Sequence, residues 1–166
     1  MKIRLVGYNK KWNKDFLDIR KKIEKKLNSE IIIKHIGSTA VPKIKVAKPI
    51  IDILIGATRK LDNYIDAIKN LGFIYIKEYE KETPNRRFFY LEKNKKRLAH
   101  IHLVNINSKW FKRHIAFRDE LRNNIYVRKE YEKLKRELSK KNWNNGNEYA
   151  DAKTKFIRSI EEKILS

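Results

Sequence analysis

Two runs of β-branched residues, separated by a Gly-Ser pair, constrain this sequence more than any other feature. The first run covers Ile31–Ile36 and the second covers residues 50–55. Isoleucine at nearly every position is typical of strands that are covered on both faces. Gly37 and Ser38 directly follow the first run, and this residue pair favours a tight turn. The stretch therefore predicts a strand, a turn and a second strand.

A single carboxylate interrupts the second run. Asp52 has apolar neighbours on both sides, and a charged carboxylate in such a strand needs a partner that offsets its desolvation. It follows Ser38 by fourteen residues, so it can face the turn from the adjacent strand. A phosphate held at the turn, opposite a carboxylate, would require a divalent cation such as Mg²⁺ or Mn²⁺ between them. A plain turn without a ligand is the commoner structure for a Gly-Ser pair alone.

The charge balance favours an anionic partner. The chain has 41 Lys and Arg against 20 Asp and Glu, a formal net charge of +21, which suits nucleotides, nucleic acid, phosphorylated metabolites or a membrane surface. The excess is spread along the chain, so a solvated lysine-rich surface explains part of it. No signal-peptide core and no apolar run of about 18 residues occurs. We expect a cytoplasmic protein without a membrane partner, folded as one domain over residues 1–166.

Apolar periodicity predicts helices around the central stretch. The apolar residues of Lys11–Leu27 recur at intervals of three and four, which indicates an amphipathic helix that ends at Asn28-Ser29. A second helix is predicted over residues 61–71, with Gly72 as its C-terminal cap. Ser108 is a suitable N-cap, and the chain is predicted to be helical from there to its end.

Three further runs predict an antiparallel meander. They cover residues 73–79, 86–92 and 99–104, and polar linkers join them. Together with the central stretch, they predict an α+β fold with a mixed, mostly antiparallel sheet. We expect helices packed on one face of this sheet and a C-terminal helical segment that closes over the site.

Two histidines in the last run of the meander are candidate partners for Asp52. His100 and His102 lie two residues apart, so both point to one face of a strand. With Asp52 they could form a set of two imidazoles and one carboxylate that binds a transition metal, and the absence of cysteine excludes thiolate ligands. The alternative is one histidine packed in the core and one that hydrogen-bonds to Asp52.

Arginines on a later helix could add phosphate contacts. Arg118 and Arg122 are four residues apart and share one helix face, where two guanidinium groups suit phosphate recognition. Asp119 could instead pair with one of them, and Arg86 and Arg87, at the start of a strand, could add a third cation. The candidate phosphate-binding residues are His35, Gly37, Ser38, Thr39, Lys48, Arg87, Arg118 and Arg122.

The spacing from the Gly-Ser pair to Asp52 resembles the signature of the polymerase-beta-like nucleotidyltransferase superfamily. Residues 35–42 (HIGSTAVP) and 47–53 (AKPIIDI) resemble more closely the GrpB family within it. The likeness continues nearly to the end of the chain, at Tyr8, Trp12 and residues 87–89, 100–102, 117–122, 131–135 and 149–157. This resemblance implies a nucleotidyltransferase-like fold.

The resemblance implies less about the reaction. The superfamily pattern places a second carboxylate two residues after the first, where both hold metal ions, and Leu54 occupies that position here. The first hypothesis is a nucleoside triphosphate-binding protein that could transfer a nucleotidyl group to an unknown acceptor, with a metal at Asp52. The second is a catalytically inactive module that binds nucleotide or RNA. The third is a metal-dependent hydrolase that uses Asp52, His100 and His102 as catalytic residues and metal ligands.

Overall fold

A five-stranded sheet forms the centre of the fold, in a computed structural model that describes residues 1–27 and 30–166. Its strands are β1 (Ile31–Ile36), β2 (Ile51–Ala57), β3 (Ile74–Tyr75), β4 (Arg86–Lys93) and β5 (Lys96–Asn105). They lie in the order β1-β2-β5-β4-β3. Strands β2 and β5 are parallel, and the other neighbouring pairs are antiparallel, which confirms the mixed, mostly antiparallel sheet.

The predicted meander is confirmed as β3, β4 and β5, with different boundaries. Its central hairpin turns on Asn94 and Lys95 alone, both of which have positive φ angles of 52° and 61°, as a two-residue hairpin turn requires. Strand β5 therefore begins at Lys96, earlier than the sequence predicts. Strand β3 is shorter than predicted, because the chain turns into a 3₁₀ helix over Lys77–Lys81.

Five α-helices surround the sheet. They are α1 (Lys11–Leu27), α2 (Ile65–Asn70), α3 (Lys109–Asn123), α4 (Ile125–Ser139) and α5 (Gly146–Leu165). The Ser108 side chain accepts a hydrogen bond from the backbone N–H of Phe111 at 3.2 Å, which confirms it as the N-cap of α3. The predicted end of α1 at Asn28-Ser29 lies outside the described residues. No helix in residues 1–27 and 30–166 is long and apolar enough to cross a membrane.

The two faces of the sheet are covered by different helices. On one face, α1 and α2 pack against the odd-numbered residues of β2, so that Phe16 and Ile68 share a core with Ile53. On the other face, Phe111 of α3 packs against a smaller apolar cluster. Gly56 permits this approach, because a Cβ atom there would lie 2.6 Å from the Phe111 ring. Asp52 points to this second face, where the C-terminal helices meet the sheet.

Candidate functional site

Asp52 and the two histidines lie side by side on the second face of the sheet. In the strand register, Asp52 is directly opposite His100 on the parallel strand β5. Its Oδ1 atom is 3.5 Å from His100 Nδ1 and 3.5 Å from His102 Nε2. Trp110 of α3 stacks on the His102 ring, with 5.1 Å between the ring centroids. The structure therefore brings together the three residues predicted to form the site.

The histidines stabilise the charge of the carboxylate. Burial by itself would raise the pKa of Asp52, but hydrogen bonds from His100 and His102 hold that pKa well below its ordinary range. Burial also lowers the pKa of His102, although the Asp52 charge opposes this. Asp52 is therefore a carboxylate anion throughout the neutral pH range, and it can bind a cation or accept hydrogen bonds.

Two arginines contact the outer nitrogens of these imidazole rings. Arg97 Nη1 lies 3.2 Å from His100 Nε2, and Arg86 Nη1 lies 3.1 Å from His102 Nδ1. A guanidinium group can only donate hydrogen bonds, so each outer nitrogen must be the unprotonated acceptor. In the neutral ring the proton then sits on the nitrogen that faces Asp52. Both histidines thus present N–H groups to the carboxylate.

This polarity decides which metal ligands the site can offer. The nearest ligand atoms of Asp52, His100 and His102 all lie within 4.8 Å of one another. However, a metal-bound histidine normally donates its other N–H to an acceptor, and here the outer partners are donors. The two imidazoles therefore do not fit as metal ligands in this arrangement. Asp52 fits a different pattern, in which Mg²⁺ or Mn²⁺ is bound by one carboxylate and by substrate phosphate oxygens.

The Gly-Ser turn lies directly beside the carboxylate. Gly37 has φ 74° and ψ −175°, a combination that is essentially restricted to glycine. A Cβ atom at this position would lie 2.7 Å from Asp52 Oδ2, so glycine is needed both for the backbone conformation and for the close approach. The next residues, Ser38–Ala40, form a 3₁₀ turn.

A buried lysine contacts this turn from α4. Lys135 is 2% exposed, and its Nζ atom donates to Ser38 Oγ at 2.6 Å and to the Val46 carbonyl oxygen at 3.1 Å. Burial lowers its pKa well below the ordinary value for lysine. A buried amine beside a turn and an anionic carboxylate can take up a proton when a further negative charge binds there, and it then stabilises that charge.

Two more lysines lie around the same position. Lys153 of α5 and Lys48, just before β2, both lie over the ring of Tyr149, at 4.5 and 5.5 Å from its centroid. Burial lowers the pKa of Lys153 to about 8 and also lowers that of Lys48, and in both the charge of Asp52 opposes the shift. The contact of Lys48 with Tyr149 brings α5 next to the segment that leads into β2.

The sequence did not single out Lys135 or Lys153. Each follows a buried tyrosine by four residues, Tyr131 in α4 and Tyr149 in α5, so each lies on the inner face of its helix. A lysine within the apolar face of a helix is the sequence pattern that could have identified these two residues. In a chain with so many lysines, that signal does not stand out from the solvated background.

The predicted arginines of α3 have a different place in the structure. Arg118 donates to the His35 carbonyl oxygen at 3.1 Å and pairs with Asp119. Arg122 donates to the Ala40 carbonyl oxygen at 2.9 Å. They bind the backbone on either side of the Gly-Ser turn and hold α3 against it. Their contacts therefore position the turn rather than extend into the space over Asp52.

Arg87 points away from Asp52. Its partner in the register is Leu103, which belongs to the core on the first face, and its Nε donates to Asp62 at 2.8 Å. The structure therefore contradicts the prediction of Arg87 as a phosphate contact at this site. The preceding residue, Arg86, is the one that reaches His102, because adjacent residues of a strand face opposite sides.

His35 and Thr39 are also turned toward the first face. The His35 ring stacks on Phe16 at 4.7 Å, and burial lowers its pKa to about 4. Thr39 Oγ1 donates to the Ile50 carbonyl oxygen and pairs with His35 Nε2 at 2.9 Å. Both side chains brace the turn from behind, so the prediction of direct phosphate contacts is not supported for either residue.

Leu54 closes the position of the missing carboxylate. Its side chain is fully buried and packs with Ile36, Val104 and Phe111. An acidic side chain here would be surrounded by hydrocarbon. The site is therefore built around one carboxylate on this strand.

A protein-family model for the GrpB protein matches residues 2–163. The chain belongs to the GrpB family. This confirms the family resemblance of residues 35–42 and 47–53.

Related proteins share nearly the whole chain. It is 34% identical over 164 residues to the UPF0157 protein YqkA of Bacillus subtilis, a match that covers 97% of this chain and 47% of that protein. It is 32% identical to a UPF0157 protein of Streptomyces coelicolor, covering 98% of this chain and 84% of the relative. The chain thus spans about half the length of YqkA and most of the Streptomyces protein.

Two solved structures share the fold. The crystal structure of GrpB from Enterococcus faecalis matches with a TM-score of 0.82 and 29% identity, over 98% of this chain and 97% of that one. The Cid1 poly(U) polymerase matches with a TM-score of 0.57 and 9% identity, over 82% of this chain and 43% of that one. The predicted nucleotidyltransferase-like fold is thereby confirmed.

Proposed function

We propose that this protein binds the polyphosphate group of a nucleoside triphosphate at the partly exposed Asp52 carboxylate, together with one Mg²⁺ or Mn²⁺ ion. The observation that carries the proposal is the contact of the buried Lys135 amine with Ser38 at the Gly-Ser turn. The turn, the lysine and the carboxylate converge on one position between the sheet and α5.

The charged side chains around Asp52 favour an anionic ligand. Among the described residues, Asp52 is the one carboxylate within salt-bridge distance of His100 and His102. Several cationic side chains contact these residues, the turn or Tyr149: Lys48, Lys135, Lys153, Arg86 and Arg97. Such an excess of positive charge at a partly buried site attracts polyanions and strengthens their binding.

A divalent cation has a defined place in this proposal. The Asp52 carboxylate is anionic and would hold the ion together with phosphate oxygens. When bound, the ion would polarise the phosphate and stabilise charge on a leaving pyrophosphate. His100 and His102 would keep the carboxylate oriented through their N–H groups, and the lysines would bind the phosphate oxygens that lie away from the ion.

Nucleotidyl transfer to an acceptor is the activity that this site would serve. In the transfer an acceptor oxygen would form a bond to the α-phosphorus while the bond from that phosphorus to the leaving pyrophosphate oxygen breaks. Leu54 removes the ligand for a second ion, so we expect transfer to be slow relative to two-metal enzymes, or replaced by binding alone. Nucleotide or RNA binding without catalysis is therefore the alternative that the test must separate.

The experiment measures binding of each nucleoside triphosphate by isothermal titration, with and without Mg²⁺ or Mn²⁺. Lys153→Ala should weaken binding by at least about tenfold, since a partly buried charge-assisted contact is lost. Lys155→Ala is the matched control, because Lys155 is an exposed lysine of the same helix. Asp52→Asn should remove the metal dependence and leave part of the phosphate affinity.

Five outcomes would contradict the proposal or narrow it. No binding of any triphosphate would refute it, and so would equal effects of the Lys153 and Lys155 variants. Binding that is independent of metal and of Asp52, without pyrophosphate release, would identify a non-catalytic module. Affinity for RNA that falls steeply with salt, without an effect of triphosphates, would indicate general polyanion binding. Metal that is retained through purification and lost on His102→Ala would favour the hydrolase hypothesis instead.

A further inference from the structure

An arginine stacked on a tyrosine lies two strands away from Asp52 in the sheet. The guanidinium carbon of Arg97 is 3.5 Å from the ring centroid of Tyr90, and its Nη1 contacts His100. The Arg97 side chain is 37% exposed, so it is partly accessible to solvent. The pair therefore forms a flat, cationic surface on the same face of the sheet as Asp52.

The strand register places this surface in line with the phosphate site. Ile36, the residue before Gly37, is opposite Asp52, Asp52 is opposite His100, and His100 is opposite Tyr90. These residues form one row across β1, β2, β5 and β4. Neighbouring strands are about 4.8 Å apart, so Tyr90 lies roughly 10 Å from Asp52, on the side away from the Gly-Ser turn.

This order matches the order of groups in a nucleotide. If the phosphates occupy the turn and the lysines, the ribose extends over His100 and the base reaches Arg97. Nucleobases stack on aromatic rings and on the planes of guanidinium groups. We propose that the Arg97–Tyr90 pair is the platform on which the base of the bound nucleotide stacks. This inference rests on the proposed function and adds which residues of the sheet bind the base of the nucleotide.

The experiment compares two ligands, inorganic tripolyphosphate and the triphosphate of 2-aminopurine riboside, whose fluorescence is quenched on stacking. Arg97→Lys keeps the positive charge but removes the planar group. It should weaken binding of the nucleotide at least about fivefold more than binding of tripolyphosphate, since stacking contributes only to the base. Tyr90→Leu should act in the same way and reduce the quenching. Lys96→Met, an exposed residue of the same hairpin, is the control and should change neither affinity.

The outcomes separate this inference from the proposed function. If the wild-type chain binds tripolyphosphate as tightly as the nucleotide, or if Arg97→Lys weakens both ligands equally, the base platform is refuted and the phosphate site stands. If the wild-type chain binds neither ligand, the proposed function fails and the platform fails with it. Quenching that persists in both Arg97→Lys and Tyr90→Leu would place the base elsewhere.

Discussion

The affinity of the protein for a polyphosphate should fall as the pH rises through the pKa of Lys153. Burial lowers that pKa to about 8, while the charge of Asp52 opposes the shift. A bound phosphate interacts more strongly with the charged form of the lysine, so binding must raise this pKa. By linkage, the contribution of Lys153 to affinity is complete below the pKa of the free protein and is lost above it.

The size of the effect follows from the pKa. A lysine with a pKa of about 8 is about 90% protonated at pH 7 and about 10% protonated at pH 9. If only the charged form of Lys153 binds the ligand, Kd should rise about tenfold over this interval. An ordinary lysine stays more than about 90% protonated over the same range, so exposed lysines would not produce this dependence.

Isothermal titration of a triphosphate at several pH values measures this dependence. Lys153→Arg is the appropriate comparison, because its guanidinium group keeps its charge over this range. The ligand titrates identically with both proteins, so its own ionisation cancels in the ratio of the two Kd values. A ratio that does not change between about pH 7 and pH 9 would refute the reasoning. The same result would show that the titration of Lys153 does not control the affinity for the triphosphate.

Three further substitutions test the construction of the site. Gly37→Ala should lower the free energy of unfolding by about 2–5 kcal/mol, because it adds backbone strain and a contact with Asp52. Gly72→Ala is the comparison, because Gly72 also has a positive φ but a Cβ there would make only an ordinary contact, 3.9 Å from Leu91. A loss for Gly37→Ala no larger than that for Gly72→Ala would contradict this. Leu54→Asp should lower the free energy of unfolding, measured with urea, by about 3 kcal/mol or more, because a carboxylate would enter an apolar cluster. A stably folded variant with increased metal affinity would disprove this prediction. Lys135→Met should weaken triphosphate binding without lowering the urea midpoint, since it removes a buried charge; a lower midpoint would assign Lys135 a structural role.

The sequence predicted the central residues of the site because they lie on strands. Residues two apart on a strand share a face, so His100 and His102 could be placed together without knowledge of the fold. The Gly-Ser turn was also readable, because its φ angle and its close approach to Asp52 both require glycine. Strand alternation and the backbone conformation of glycine are local properties, so they can be inferred from the sequence alone.

The sequence did not show which of two neighbouring arginines faces the site. Arg86 and Arg87 are identical in chemistry, and only the register of β4 against β5 decides that Arg86 faces the histidines. The prediction of Arg87 was wrong for this reason. Arg118 and Arg122 lie on one helix face as predicted, but the position of α3 directs them to backbone carbonyl oxygens.

The sequence by itself determined the turn, the lone carboxylate and the absence of its usual second partner at position 54, because strand alternation and glycine geometry act over a few residues. Only the tertiary structure decided which cations surround that carboxylate. Lys135 and Lys153 come from helices about a hundred residues further along the chain, and their environment depends on how α4 and α5 pack against the turn. Burial and charge act through space, so the long-range packing of the helices creates the candidate phosphate site.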